Sequence, residues 1–171
     1  MNYKDYIRVQ EDFPKKGISF KDISPLLANG EAFSQAIAEL KEVCAKWNPD
    51  VIIGPEARGF VVGAPLAQAM GKGFIMARKK GKLPGEIIAK TYGLEYGTDT
   101  IEVPTFAVKK GTRVVIADDL LATGGTLAAI ESMLKELGVE VVGIVTLIEL
   151  TDLQGTKLLS SPYFSLVQYP H

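Results

Sequence analysis

The sequence predicts an α/β fold: a mainly parallel central sheet flanked by helices on both faces. Three observations predict it. Short runs rich in β-branched residues recur at Val51-Ile52-Ile53, Phe74-Ile75-Met76-Ala77, Arg113-Val114-Val115-Ile116-Ala117 and Val141 to Leu150. Helical patterns alternate with them. Gly, Pro and Asn-Pro-Asp breaks stand at the junctions, as at Asn48-Pro49-Asp50, Gly71-Lys72-Gly73 and Gly138.

Taken in order, residues 3–9 read as a short helix leading into the turn-rich Phe13-Pro14-Lys15-Lys16-Gly17. From Glu31 to Trp47 the apolar residues Phe33, Ile37, Leu40, Cys44 and Trp47 step by 4, 3, 4 and 3, one face of an amphipathic helix. Val51–Ile53 is the first buried strand, and residues 58–70 return to helical character. Phe74–Ala77 is the second strand. Residues 78–86 are polar, basic and turn-rich, and 87–103 alternate loosely, as a hairpin or an ordered lid would. The third strand, 113–117, leads through Asp118-Asp119 and a Thr-Gly-Gly turn into a helix over about 126–137, which Gly138 stops. Val141–Leu150 is the fourth strand, and 163–169 is a last short one.

Composition bounds the function. The chain has 171 residues, enough for one domain with its own core, and is 47% hydrophobic with a formal net charge of −1. A nucleic-acid footprint needs a strongly basic face, so none is expected. No apolar run approaches the length of a membrane span, and the N-terminal stretch has no signal-peptide core, so a cytoplasmic protein is expected. Cys44 is the only cysteine, which excludes an internal disulfide and favours a reducing compartment. His171 is the only histidine and the last residue, so neither histidine-based catalysis nor a histidine-rich metal site is expected.

The most informative stretch is Asp118-Asp119-Leu120-Leu121-Ala122-Thr123-Gly124-Gly125-Thr126. A buried strand delivers two adjacent carboxylates to the sheet edge, and a small-residue loop then opens a helix. Loop glycines let main-chain N–H groups approach a phosphate, and a helix N-terminus adds free donors and partial positive charge. Thr123 and Thr126 add hydroxyl donors. The carboxylates are suited to accept hydrogen bonds from vicinal sugar hydroxyls. Phosphate donors beside diol acceptors describe a ribose 5-phosphate site. No GxxxxGK[ST] and no strand-borne GxGxxG is present, which sets aside a P-loop and a dinucleotide site. Basic groups stand at Arg58 and at Arg78, Lys79, Lys80 and Lys82, each just beyond a strand, where a leaving anion would be met.

With these motifs in hand the chain resembles the type I phosphoribosyltransferase family, whose signature for phosphoribosyl pyrophosphate (PRPP) matches 118–126. The resemblance to its adenine-specific members spans nearly the whole chain, through Phe13–Pro25, Gly54–Phe60, Arg78–Gly85 and Tyr92–Gly97. It implies the type I fold, one domain over 1–171, a small N-terminal base-binding hood at about 1–30 and a flexible lid at about 79–98. It implies transfer of 5-phosphoribosyl from PRPP to N9 of adenine, giving AMP and pyrophosphate, in a homodimer. The site residues follow by position. Asp118 and Asp119 hold the ribose, and Ala122, Thr123, Gly124, Gly125 and Thr126 hold the 5′-phosphate. Glu56, Ala57, Arg58, Arg78, Lys79 and Lys82 serve pyrophosphate, with a cis peptide between Glu56 and Ala57. Ser19, Phe20, Lys21 and Leu150 hold adenine, Phe20 by stacking. Glu95 and Arg58 are catalytic, and Tyr96 closes over the site. Magnesium is implied, held mainly by substrate oxygens and water.

Two alternatives stand beside this reading. A 6-oxopurine enzyme of the family would place a lysine near the fourth strand, yet 139–150 contain no lysine or arginine. A non-catalytic PRPP-binding regulator would need a DNA-binding unit, for which there is no room before Phe13.

Overall fold

The N-terminal segment folds back on itself before the main sheet begins. A 3₁₀ turn at Tyr3–Tyr6 runs into β1 (Arg8–Gln10), which pairs antiparallel with β2 (Phe20–Asp22). The helix expected over 3–9 is therefore cut to one turn. Backbone pairing with β2 and the Arg8–Asp22 ion pair at 2.8 Å claim residues 8–10 for a strand, a tertiary contact overriding local preference. Helix α1 (Ser24–Ala28) follows, with Pro25 in its first turn, where a missing N–H costs nothing.

Asn29 caps α2 (Gly30–Trp47) by accepting from the Ala32 amide. The sequence periodicity placed this helix to within a residue. Cys44 lies fully buried on its inner face, and burial pushes the thiol up to about 12, so it is inert. Next come β3 (Val51–Pro55), α3 (Arg58–Met70) and β4 (Gly73–Lys79). Residues 87–103 form a hairpin, β5 (Ile87–Leu94) and β6 (Gly97–Pro104). The last elements are β7 (Arg113–Leu121), α4 (Gly125–Glu136), β8 (Glu140–Leu150) and β9 (Tyr163–Tyr169). This computed structural model describes residues 1–94 and 96–171.

Among the described residues the main sheet has seven strands in the order β5-β6-β4-β3-β7-β8-β9. β4, β3, β7, β8 and β9 are mutually parallel, while β6 joins β4 antiparallel and brings β5 with it. Alternate strand residues feed two apolar layers. Ile52, Val115, Ala117 and Val145 face α2 and α3 with Leu40, Val62 and Leu66. Ile53, Val114, Ile116 and Ile144 face α4 with Ile130, Met133 and Leu134. Buried on both faces, these strands read as continuous apolar runs, as parallel strands do. The inner face of the hairpin, Ile88, Lys90 and Tyr92, lies along α4, where Lys90 Nζ meets the Glu136 carboxylate at 2.6 Å.

Candidate active site

β3, β4 and β7 run parallel, so their carboxyl ends open on one side of the sheet, where α/β folds place ligands. Two adjoining cavities of about 480 and 470 Å³ lie there. They share Leu94, Asp118, Leu120 and Thr126 and so form one long cleft. Each half is faced by a helix N-terminus. α3 opens at Arg58 beside one half, and α4 at Gly125 beside the other. The preceding residues, Ala57 and Gly124, supply no side-chain cap among the described residues. In the first turn of α3 the Phe60 amide donates to the Ala57 carbonyl oxygen at 3.1 Å, while the earliest amides of both helices lie beyond the reach of intrahelical acceptors, and both dipoles offer positive ends to the cleft. The cleft is built for a ligand with an anion at each end.

The α4 end is held in shape by two glycines. Gly124 has φ +90°, and a Cβ there would stand 2.7 Å from the Gly155 carbonyl oxygen. A Cβ on Gly155 would in turn collide with the Ala122 carbonyl. The 122–125 turn thus packs backbone to backbone on the segment at Gly155, leaving its other side to the cleft. The Thr126 hydroxyl lies at 3.0 Å from the Tyr92 hydroxyl.

β7 continues four residues past the predicted strand, so Asp118 and Asp119 are strand residues rather than loop residues. Both line the cleft. Asp119 is buried, and Arg58 Nε donates to its Oδ2 at 2.7 Å. Asp118 accepts the Asp119 main-chain N–H at 2.8 Å. Burial, and next the adjacent Asp119 carboxylate, push the Asp118 carboxyl well above its ordinary range. Two acids lodged this close, with one cation bonded to Asp119 alone, would be stabilised by hydroxyl donors.

At the α3 end, the Glu56–Ala57 peptide is cis. Glu56 collects the nearby cations. Lys82 Nζ donates at 2.6 Å, the Lys79 amide at 2.7 Å and Arg78 Nε at 3.3 Å. Burial pushes the Glu56 carboxyl up, but the hydrogen bonds from Lys82 and Lys79 and the charges of Lys82 and Arg78 outweigh it and hold the group low. Lys79 Nζ pairs with Asp99 at 3.0 Å. Arg78, Lys79 and Lys82 are thus gathered here, as expected, but through acidic partners that sequence reading did not name.

Phe20 lies on β2, edge-on to Phe13 at 5.2 Å, and the Arg58 guanidinium stands 5.9 Å from its ring centre. Arg58 therefore links the aromatic face to the acid pair. Lys21 is buried and turned away from the cleft. Its ammonium bonds to the Ser19 hydroxyl at 2.7 Å and the His171 main-chain oxygen at 3.3 Å, near the Tyr169 ring. Ser19 also donates to Glu11 at 2.9 Å. Leu150 ends β8 beside Tyr169 and packs on the core rather than lining either cavity. Tyr96 stands at the hairpin tip, 90% exposed. Glu95 lies outside the described residues. Sequence reading missed Tyr92, Asp99 and Gly155. Tyr92 and Asp99 are cross-strand partners in the hairpin, a signal that needed the strand register.

Comparison with known proteins places the chain in a family. The phosphoribosyl transferase domain model matches residues 19–169. Adenine phosphoribosyltransferases of Clostridium perfringens and Clostridium tetani are 52% and 54% identical over 170 residues, covering 99% of both chains in each case. The crystal structure of adenine phosphoribosyltransferase from Thermoanaerobacter pseudethanolicus matches with a TM-score of 0.93 at 49% identity, over 97% of each chain. That of Saccharomyces cerevisiae, complexed with an imino-altritol bisphosphate and adenine, matches at 0.89 and 38% identity over 95% of each chain. An uncapped helix end beside an acid pair, a second helix end ringed by cations, and full-length likeness to these enzymes have one meaning: the chain belongs to the adenine phosphoribosyltransferase family, within the type I phosphoribosyltransferases.

Proposed function

We propose that the cleft holds PRPP lengthwise, and that the chain transfers its 5-phosphoribosyl group to N9 of adenine in purine salvage. The observation that carries this reading is the pairing of two uncapped helix N-termini with a carboxylate pair between them. The 5′-phosphate is assigned to the α4 end, on the main-chain amides of Ala122, Thr123, Gly124, Gly125 and Thr126 and the two threonine hydroxyls. Asp118 and Asp119 accept from the ribose hydroxyls. The pyrophosphate is assigned to the α3 end, among Glu56, Ala57, Arg58, Arg78, Lys79 and Lys82. On arrival it competes with Glu56 and Asp99 for their cations.

Breaking the bond at the anomeric carbon builds charge on the departing pyrophosphate, and Arg58 and the α3 amides are fixed in advance to receive it. The oxocarbenium-like sugar that forms lies against the acid pair. Adenine stacks on Phe20 and meets the main chain, not the side chains, of Ser19 and Lys21, with Leu150 backing the pocket from the core side, and Glu95 takes up or stabilises the N9 proton. Among the described residues no three acidic, histidine or cysteine side chains converge as a metal cage. A magnesium ion arriving with substrate oxygens and water would be held beside Asp118 and Asp119 and would neutralise charge on the pyrophosphate.

Residues of about 1–30 form the base-binding hood. Those of about 79–98, with Tyr96 at the hairpin tip, act as a lid that excludes water and suppresses PRPP hydrolysis. A homodimer is part of the same reading, supported by the exposed apolar groove of Phe74, Met76, Leu83, Pro84, Pro104 and Phe106 beside the basic end of β4. A cytoplasmic location suits the buried free thiol of Cys44. Purified protein with magnesium, PRPP and each of adenine, hypoxanthine, guanine and xanthine tests the function. AMP alone is expected by chromatography, and a 6-oxopurine nucleotide as main product would refute the base assignment.

A further inference from the structure

We propose that Tyr92 is a positioning residue for the 5′-phosphate end of the cleft: its hydroxyl fixes the direction of the Thr126 hydroxyl, so that Thr126 donates to phosphate. The proposal rests on the assignment of the 5′-phosphate to the α4 end. Tyr92 is carried by the hairpin, not by the 122–126 turn, and it spans the gap between them. Its hydroxyl lies 3.0 Å from Thr126 Oγ1, in the first turn of α4, and its side chain lines the half of the cleft that also holds Asp99 and Lys79. Asp99 is its cross-strand partner, and Lys79 Nζ holds Asp99 at 3.0 Å. Tyr92 thus stands between the cations at one end of the cleft and the turn at the other.

Proton counting gives the pair a direction. A threonine hydroxyl and a tyrosine hydroxyl each have one proton to donate, and either can be the donor between them, while the Asp99 carboxylate is a second acceptor facing the Tyr92 hydroxyl. Phosphate oxygens are strong acceptors. Once one lies at the α4 end, the Thr126 proton goes to it, and Thr126 Oγ1, left as an acceptor, draws the Tyr92 proton away from Asp99, which Lys79 still holds. The result is a chain, Tyr92 O–H to Thr126 Oγ1–H to phosphate, in which each bond polarises the next. Without the tyrosine hydroxyl, Thr126 is free to turn its proton elsewhere. The effect is confined to the phosphate end. Pyrophosphate, held at the α3 end, does not depend on it.

Tyr92→Phe removes only the hydroxyl and keeps the ring that packs along α4. Binding of ribose 5-phosphate and of inorganic pyrophosphate is measured by calorimetry for the wild type, Tyr92→Phe, Thr126→Val and the double variant, with melting temperatures alongside. The expected result is a roughly tenfold loss of ribose 5-phosphate affinity in Tyr92→Phe, about 1.4 kcal/mol. Pyrophosphate affinity stays within twofold, and the double variant binds no more weakly than Thr126→Val alone. Thr126→Ser keeps the hydroxyl and should keep the dependence on Tyr92. Equal losses for both ligands would mean a merely structural role, and full additivity would mean no shared proton chain; either overturns the proposal. Unchanged ribose 5-phosphate binding in Tyr92→Phe overturns it and leaves the phosphate assignment intact. If the wild type binds ribose 5-phosphate and Thr126→Val does so equally well, the assignment itself fails, and this proposal with it.

Discussion

Replacing Gly124 by alanine tests the turn that shapes the α4 end of the cleft. Two costs can be worked out from the structure. Gly124 has φ +90°, which an L-residue adopts at a cost of about 1–2 kcal/mol. The added Cβ also meets the Gly155 carbonyl oxygen at 2.7 Å, with the Gly155 Cα and carbonyl carbon at 3.2 and 3.3 Å. These atoms are backbone and cannot swing aside, so overpacking adds about 1–3 kcal/mol. The sum is roughly 2–5 kcal/mol. For a chain of this size each kcal/mol moves the melting point by about 2–4 °C, so a fall near 10 °C is expected in a thermal melt. The displaced amides should also raise the KM for PRPP by about tenfold or more, the loss of one charge-assisted hydrogen bond. Gly125→Ala is the control. Its Cβ would find its nearest neighbour, Tyr92 Cδ2, at 4.0 Å, and Gly125 needs no positive φ. It should melt at the wild-type temperature or up to about 4 °C above it, since alanine favours a helix over glycine by about 1 kcal/mol. A Gly124→Ala protein that melts like the wild type, or a Gly125→Ala protein that falls equally far, would refute the packing argument.

Other perturbations probe the rest of the cleft. Asp118→Asn should raise the melting point at neutral pH while abolishing PRPP use. The folded carboxyl is raised by burial and by Asp119, so its contribution to stability is present below the ordinary aspartate value and is lost as pH rises through the raised one. The amide carries no charge and retains an acceptor for the Asp119 N–H. A destabilised Asn variant at neutral pH would contradict the sign. Glu56→Gln should lower the melting point at pH 7. Because the folded Glu56 carboxyl is held low, the deficit should vanish as pH falls through that depressed value, and a deficit independent of pH would show that charge is not its origin. Phe20→Ala should raise the KM for adenine about tenfold or more, in line with a lost stacking face, and leave that for PRPP near wild type. An unaltered adenine KM would remove Phe20 from the base pocket. Glu95→Gln should lower kcat more than it changes KM in steady-state kinetics; a variant with neither changed would make Glu95 a bystander.

Legibility followed the physics of each segment. The helix over 31–47 could be read because one apolar stripe must meet the sheet, and its residues recur with the helical period. The central strands could be read because burial on both faces leaves them almost free of polar residues. The acid pair and the glycine turn were legible because their residue types have few other uses at a strand-to-helix junction. The N-terminal segment was not legible. Arg8–Gln10 and Phe20–Asp22 are three-residue strands that exist through pairing with each other, and neither has a period of its own. The acidic partners of the basic cluster were hidden for a related reason. Glu56 follows β3, whereas Arg78 lies near the end of β4 and Lys82 in the turn beyond it, and only the β3–β4 pairing brings them together. Tyr92 and Asp99 needed the hairpin register, and Gly155 needed the return of the chain after β8 to the back of the 122–125 turn.

The central claim is one of placement: phosphate on the α4 turn, and sugar hydroxyls on the acid pair. A crystal structure with AMP bound tests it most directly. The 5′-phosphate oxygens should lie within about 3 Å of the main-chain amides between Thr123 and Thr126, with the ribose hydroxyls donating to Asp118 and Asp119. AMP seated with its phosphate among Arg58, Lys79 and Lys82, or outside the cleft altogether, would contradict it.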